Sequence, residues 1–338
     1  MSKILTVIVP VYNIEKYVLQ CLDSLNIKEE KDSLEVLVID DGSTDTSGEL
    51  ADKFAGEHCE IFRVIHKANG GHGSAINRGI EEAKGQYIKV VDGDDWVSKS
   101  EFLNLIRFLK HTKADIVAAN YCWYYEQSGK KKIQYRHPFK GVFYGKEYAL
   151  SCLPENVYVK MHAMTAKTEL FRRCPFKIDE NCFYVDTEFV LYPILYADTV
   201  VFLDSFVYMY RIGLPTQSMN INQLKKNKNQ HLSVIYSLIR FYDYMKANNK
   251  EFYRLGYVEN AVAKMVASQF KVFMCCDFSA ELEKEVADFD EFIKNNYPEI
   301  YDKNCNPFVS LIRQSNYRFF HMALKLYQHA YKTERGEG

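Results

Sequence analysis

The stretch Tyr87-Ile88-Lys89-Val90-Val91-Asp92-Gly93-Asp94-Asp95-Trp96-Val97 decides how the rest of the chain is read. A run with strand character stops at three carboxylates wrapped around one glycine. Neighbouring carboxylates repel, and raise each other's pKa, unless a cation or a hydrogen-bond network holds them. In an extended chain residues i and i+2 point to one side, so Asp92 and Asp94 are placed to converge on one ion. Hard divalent cations take oxygen ligands, commonly one or two carboxylates plus substrate phosphates. The stretch points to a metal-diphosphate site; the alternative is a strand-end turn using Asp and Gly for geometry alone.

Upstream, Ile4 to Val9 is a β-branched run ended by Pro10, and Ile14, Val18, Cys21, Leu22 and Leu25 then recur at helical spacing. Leu34 to Ile39 is a second strand, closed by Asp40-Asp41-Gly42-Ser43-Thr44-Asp45, whose small polar residues can cap a helix carrying Leu50 and Phe54. Ile61 to Ile65 is a third strand, followed by Lys67-Ala68-Asn69-Gly70-Gly71-His72-Gly73-Ser74 and a helix through Ala75, Ile76, Ile80 and Ala83. Downstream, residues 102–110 read as helix and Asp115 to Ala119 as a short strand. Such alternation is the signature of a parallel sheet with helices on both faces. Ligands bind outside the carboxyl ends of its strands, so Pro10–Tyr12, Asp40–Asp45, Lys67–Ser74 and Asp92–Asp95 are expected to line one crevice.

Past residue 120 the pattern changes. Tyr121 to Glu126 and Lys132 to His137 read as a hairpin, Lys146 to Cys152 and Lys167 to Arg173 as short helices, and Val200 to Leu203 and Phe206 to Arg211 as strands. Residues 224–247, 250–274 and 280–295 carry apolar positions at helical spacing. A boundary falls near 215–222, with Leu214-Pro215-Thr216-Gln217-Ser218 as linker, and the end from Lys332 to Gly338 reads as frayed.

With 338 residues the chain suggests about two domains. A net charge of −1 offers no field for nucleic acid. Nine scattered cysteines without metal-type spacing, and no signal peptide, read as thiols in a reducing cytosol. Every apolar run is interrupted by charge before it could span a membrane. The chain is expected to be cytoplasmic, with peripheral attachment at the inner face of a membrane left open.

In the crevice, a carboxylate at Asp41, and less so at Asp40, can accept from a uracil imide or a ribose hydroxyl; the plain alternative is helix capping, which Ser43, Thr44 or Asp45 could supply alone. Gly70-Gly71-His72-Gly73-Ser74 before a helix offers backbone N–H groups to phosphate, with Lys67 and Arg78 adding charge. Neither a phosphate-loop Gly-Lys-Ser/Thr nor a dinucleotide Gly-x-Gly-x-x-Gly follows the first strand, which argues against a phosphate-loop, NAD or FAD enzyme. Asp186 opens an apolar helix containing Phe189, Val190, Ile194 and Leu195, where a helix-end Asp is the plain alternative to a catalytic one.

Taken in order, Val7-Ile8-Val9-Pro10-Val11-Tyr12-Asn13, Val38-Ile39-Asp40-Asp41-Gly42-Ser43-Thr44-Asp45, Asn69-Gly70-Gly71 through Asn77-Arg78-Gly79, and Asp92-Gly93-Asp94-Asp95 resemble the family-two glycosyltransferases. The resemblance is close up to Asp95 and looser to about residue 215; the helical end lies outside it. It implies an α/β chain with a GT-A-type, Rossmann-like mixed and mainly parallel sheet flanked by helices. Residues 1–215 would be the transferase domain, 1–119 its nucleotide-sugar half and 120–215 its acceptor half, with 222–331 helical. It implies an inverting enzyme using a nucleotide-sugar donor, by family habit a UDP-sugar, in bacterial surface-polysaccharide or glycoconjugate synthesis.

The resemblance also implies roles. Pro10, Tyr12 and Asp41 match nucleoside-holding positions, and Lys67, Asn69, Gly70, Gly71, Asn77, Asp92 and Gly93 complete the expected donor site. Asp94 would bind a divalent ion, Mn²⁺ or Mg²⁺, and Asp92 the ribose or the same ion. The family's catalytic Glu-Asp pair reads Val185-Asp186 here, leaving Asp186 as the base. Trp123, His162, Tyr210 and Arg211 are the acceptor-side choices, for a saccharide or lipid-linked saccharide. The C-terminal helices could pack on the first domain, form a homo-oligomer or meet a membrane. Two rival readings stand beside this one: a nucleotidyltransferase acting on a sugar phosphate, and a non-catalytic scaffold on a degenerate transferase fold.

Overall fold

The computed structural model describes residues 3–127, 130–213 and 221–334. The chain divides into two compact units, Met1–Leu214 and Pro215–Gly338. The expected linker 214–218 and the last residues from 335 lie outside the described residues, as does the tip of the hairpin at 128–129.

The first unit is built on one mixed sheet. Its strands are β1 (Leu5–Val11), β2 (Leu34–Asp40), β3 (Phe62–His66), β4 (Tyr87–Val90), β5 (Trp96–Val97), β6 (Ile116–Gln127), β7 (Lys130–Arg136), β8 (Glu147–Ala149), β9 (Met164–Lys167) and β10 (Thr199–Ile212). They lie in the order β3-β2-β1-β4-β9-β6-β10-β5, with β7 on β6 and β8 on β10. β3, β2, β1 and β4 are mutually parallel, and β10 runs parallel to β6. β1 and β2 are buried along their whole length, which is why they read as near-continuous apolar runs, and the buried Thr6 hydroxyl donates to Glu35 across them at 2.8 Å.

The helices of this unit are α1 (Val18–Leu25), α2 (Ser47–Glu57), α3 (Gly71–Glu82), α4 (Lys99–Leu109), α5 (Thr168–Arg173) and α6 (Asp186–Leu191). Each of the first four follows a strand end and buries one apolar stripe, as Val18, Cys21, Leu22 and Leu25 do in α1.

Several sequence expectations change from β6 onward. The strand and the hairpin arm expected on either side of Asn120 are one strand, so the half-domain boundary placed at residue 119 falls inside β6. Asn120 is buried, but its amide donates to Asp204 (2.8 Å) and accepts from Tyr144 (3.1 Å), so the strand passes through a satisfied polar residue. The two strands expected near 200–211 are likewise one, β10, with register shifts between Leu203 and Tyr208. The helix expected at Lys146–Cys152 is β8 plus a single 3-10 turn at Leu150–Cys152. β9 carried no periodic signal, and it inserts antiparallel between β4 and β6. The mixed character of the sheet enters through β9 and through β5, β7 and β8, all of which pair antiparallel with their neighbours.

The second unit is helical: α7 (Ile221–Lys226), α8 (Lys228–Ala247), α9 (Phe252–Met274), α10 (Ala280–Asn296), α11 (Pro298–Asp302), α12 (Pro307–Gln314) and α13 (Phe320–Glu334). α9 is its centre and packs against α7, α8, α10, α11 and α13. Its buried acidic residue Asp290, 1% exposed, accepts from Arg313 (2.7 Å) and Tyr317 (2.6 Å). No disulfide joins the cysteines among the described residues, and no described helix is long and apolar enough to cross a membrane.

Candidate active site

The carboxyl ends of β1, β2 and β4 meet in one crevice, and the loops leaving them are stitched together. The side-chain oxygen of Asn13, in a left-handed conformation (φ 52°), accepts from the Thr44 N–H at 2.8 Å, and the Ile14 N–H donates to Ser47 at 2.8 Å. Asp40 is tied by the Ser43 N–H (3.1 Å) and by His66 Nδ1 (2.8 Å). Burial alone would raise its carboxyl, but these bonds bring it below the usual range. Its part is to hold the loop. Tyr12, just past the end of β1, is 49% exposed, whereas Pro10 is buried within the strand.

Asp41 is nearly fully buried, and its carboxylate accepts from Lys67 Nζ (2.7 Å), the Gly70 N–H (3.0 Å) and the Gly71 N–H (2.7 Å). The amide of Asn69 donates to the Asp41 carbonyl at 2.9 Å. In this structure the N–H groups that the glycine-rich turn was expected to offer to phosphate therefore bind a carboxylate of the chain itself. The turn also has a packing reason. A Cβ at Gly73 would overlap the carbonyl oxygen of Asp179, so only glycine lets α3 lie this close to the segment 178–182. Asn77, expected at the donor, faces the same segment instead: it donates to the Ile178 carbonyl (2.8 Å) and accepts from the Ile178 N–H (3.1 Å).

That close approach brings α3 beside the start of α6. His72 Nε2 lies 2.8 Å from Asp92 Oδ1, and its Nδ1 lies 4.0 Å from Asp186 Oδ1. Burial works against a charged imidazole, but the hydrogen bond to Asp92 and the fields of Asp92, Asp186 and Asp94 win, raising its pKa to about 9. An imidazolium thus sits between two carboxylates that sequence reading assigned to different tasks. A lone histidine inside a glycine-rich turn gave no signal of this; its position opposite Asp186 depends on a contact between residues far apart in sequence.

The opening acidic stretch is a turn rather than an extended strand end: the Asp95 N–H donates to the Asp92 carbonyl at 2.9 Å. Asp92 and Asp94 come together through that turn and not through strand pleating. Gly93 fits under it because a Cβ there would meet the Pro10 carbonyl at 2.9 Å and the Ile14 side chain. The three carboxylates separate in kind. Asp95 is 1% exposed and accepts from the Tyr208 hydroxyl (2.7 Å) and the Arg211 N–H (2.7 Å). Asp92 faces His72. Asp94 remains half-buried, and desolvation together with the charge of Asp92 pushes its carboxyl up to about 6. The crowded, half-buried carboxyl of Asp94 beside that of Asp92, itself shared with His72, supplies oxygen donors of the kind a hard divalent cation takes, so the residues present fit such an ion. Among the described residues no three His, Cys, Asp or Glu side chains form a closed metal cage, so substrate or water oxygens would complete the shell.

The acceptor-side expectations divide. Arg211 is 4% exposed and is a clamp: its Nε donates to the Asp94 carbonyl (3.0 Å), and its guanidinium packs over the rings of Tyr17 and Trp96. It supports the acidic turn and is too buried to line an acceptor groove. His162 stacks on Tyr210 (5.3 Å between ring centres) and meets Tyr121 edge-on, and burial keeps it neutral. Trp123 lies under the Arg136 guanidinium at 3.9 Å. Pairing of β6 with β10 puts Tyr210 directly beside Trp123. Two residues not foreseen support this floor: Tyr208, also bonded by the Asp92 N–H (3.2 Å), and Lys89, fully buried, which donates to the His162 carbonyl (2.8 Å).

Comparison with known proteins agrees with this architecture. The family model described as glycosyl transferase family 2 matches residues 6–174. The glycosyltransferase EpsJ of Bacillus subtilis is 32% identical over 257 residues, covering 72% of this chain and 71% of EpsJ. The glycosyltransferase GlyA of Streptococcus pneumoniae is 32% identical over 221 residues, 62% of this chain but 30% of the much longer GlyA. Among solved structures, S. aureus TarS 1-349 in complex with UDP-GlcNAc superposes with a TM-score of 0.68 at 17% identity, covering 97% of this chain and 92% of that one. A mannosyltransferase of Pyrobaculum calidifontis in complex with GDP-Man and Mn²⁺ gives 0.52 at 14% identity, covering 96% and 87%. The fold is of the GT-A type, and the chain belongs to glycosyl transferase family 2.

Proposed function

We propose that the protein transfers a sugar from a UDP-sugar to an acceptor hydroxyl with inversion, assisted by Mn²⁺ or Mg²⁺, in the synthesis of a bacterial surface polysaccharide or glycoconjugate. The observation that carries this reading is the gathering of carboxylates around His72, which lies 2.8 Å from Asp92 and 4.0 Å from Asp186 and feels the charge of Asp94. The UDP choice is supported by the TarS complex with UDP-GlcNAc; the neighbour with GDP-Man makes GDP the rival to test.

In this mechanism the exposed ring of Tyr12 packs against the nucleoside at the crevice mouth. Lys67, Gly70 and Gly71 hold Asp41 in place beside it. Asp94 and Asp92 would hold the divalent ion, whose chemistry is to neutralise charge gathering on the departing diphosphate. Asp186, 60% exposed at the start of α6, receives the proton of the acceptor hydroxyl as that oxygen bonds to the anomeric carbon and the sugar–diphosphate bond breaks. His72 keeps the base and the donor-side carboxylate at a set separation. The face carrying Trp123, His162 and Tyr210 receives the acceptor, a saccharide or lipid-linked saccharide, and the reaction takes place in the cytoplasm at the inner face of a membrane.

The test separates the two carboxylate roles. Calorimetry with UDP and Mn²⁺ should lose its metal-dependent heat in Asp94→Ala. Asp186→Asn should keep donor binding while transfer falls by about two to four orders of magnitude, the usual worth of a general base. Unchanged metal-dependent binding in the first variant removes the metal role, and near-normal turnover in the second moves the base elsewhere. Running the binding across UDP-, GDP- and dTDP-sugars identifies the nucleotide.

A further inference from the structure

Between Lys303 and His329 the sequence contains four Lys or Arg and no Asp or Glu. Two of those cations are consumed inside the helical unit: Lys303 pairs with Glu259 (3.4 Å) and Arg313 with the buried Asp290. Arg318 and Lys325 have no carboxylate partner among the described residues and are exposed. By contrast, two of the three lysines in the basic cluster at the start of this unit are paired, Lys225 with Asp277 and Lys228 with Glu285, while Lys226 is exposed.

The same segment leaves large apolar side chains in solvent. Phe319, Met322 and Leu326 are 49%, 55% and 62% exposed, and Leu311 on α12 is 53% exposed. The Ala323 N–H donates to the Phe319 carbonyl, so Phe319 belongs to the first turn of α13. At 3.6 residues per turn Met322 and Leu326 continue one strip from Phe319, Lys325 lies on the strip beside it, and Arg318 immediately precedes the helix. The opposite side, with Phe320, Ala323 and Leu324, is buried in the unit. A short helix therefore displays apolar groups and long cations side by side, with its other face committed to the core.

We infer that this face of α13, with Leu311 of α12, seats the protein on an anionic lipid bilayer. The apolar strip enters the headgroup boundary while Arg318 and Lys325 reach the lipid phosphates, the arrangement that holds amphipathic helices in the interface plane. Charge complementarity selects the occupant. A second copy of the chain, meeting this face through a two-fold axis, would bring four cations together with no carboxylate to receive them. An anionic surface meets both strips at once. The inference concerns attachment alone and does not depend on the donor, the base or the metal of the transfer reaction.

The test is co-sedimentation of the full chain with vesicles of phosphatidylglycerol and phosphatidylcholine, using pure phosphatidylcholine as the neutral control. Two cations at an anionic surface should favour the mixed vesicles by about tenfold or more, with a preference that shrinks as salt rises. Arg318→Ala with Lys325→Ala should abolish that preference, and Met322→Glu with Leu326→Glu should remove sedimentation on both vesicles. All four side chains are exposed, so melting temperature and UDP binding should stay at wild-type values, which separates lost attachment from lost folding or lost donor recognition. Equal partition onto neutral and anionic vesicles, wild-type protein left in the supernatant, or double variants that sediment like wild type would each overturn the assignment. So would a dimer, seen by light scattering without lipid, that Leu326→Glu converts to monomer.

Discussion

Replacing His72 with Ala tests whether the imidazolium between Asp92 and Asp186 is a structural charge of the crevice. In the folded protein the group titrates at about 9, against 6.5 for an ordinary histidine. A group whose folded pKa lies above its unfolded one stabilises the fold fully below the unfolded value, and that contribution disappears as pH rises through the folded value. The relevant window therefore runs from 6.5 upward to about 9. Linkage across it gives roughly 2.5 kcal/mol in favour of wild type at pH 7, falling to under about 0.5 kcal/mol at pH 9. The measurement is urea unfolding of wild type and His72→Ala at several pH values, with a chelator present so that only the chain's own charges act. The gap between the two proteins should close steadily as pH rises. A gap that stays constant from pH 7 to pH 9 would mean that His72 contributes packing rather than charge, and the electrostatic account of the crevice would be wrong.

Three other substitutions probe the supports. Gly73→Ala forces a Cβ into the Asp179 carbonyl and should cost about 1–3 kcal/mol of stability, as overpacking does; transfer should fall further than stability explains, because α3 carries His72 away from Asp186. Tyr208→Phe removes the hydroxyl that serves buried Asp95, and a loss of about 1–3 kcal/mol in denaturant unfolding is expected. Arg313→Met leaves Asp290 buried without its cation, for a cost of about 3–5 kcal/mol; adding Asp290→Leu should recover much of that loss, whereas no recovery would show that Arg313 acts through packing.

The sequence by itself determined a good deal. The alternating strands and helices up to Ala119, the polar residues at each strand end and their order along the chain were enough to place Asp41, Asp92 and Asp94 around one crevice, because in a parallel sheet those ends all point the same way. Local periodicity carries that information, and it is legible without tertiary contacts. What only the tertiary structure decided lies in contacts between distant segments. β9 has no periodic pattern because an insertion between β4 and β6 is set by its partners. Arg211 looked like a groove residue because its spacing resembles that of its neighbours, and only packing shows it folded under the acidic turn. His72 and Asp186, 4.0 Å apart, are joined by a glycine that permits close approach and by a helix whose start lies more than a hundred residues later. Side-chain charge is written in the sequence, but the distance between two charges is not, and distance determines whether a lone histidine stands apart or lies between two carboxylates, as His72 does.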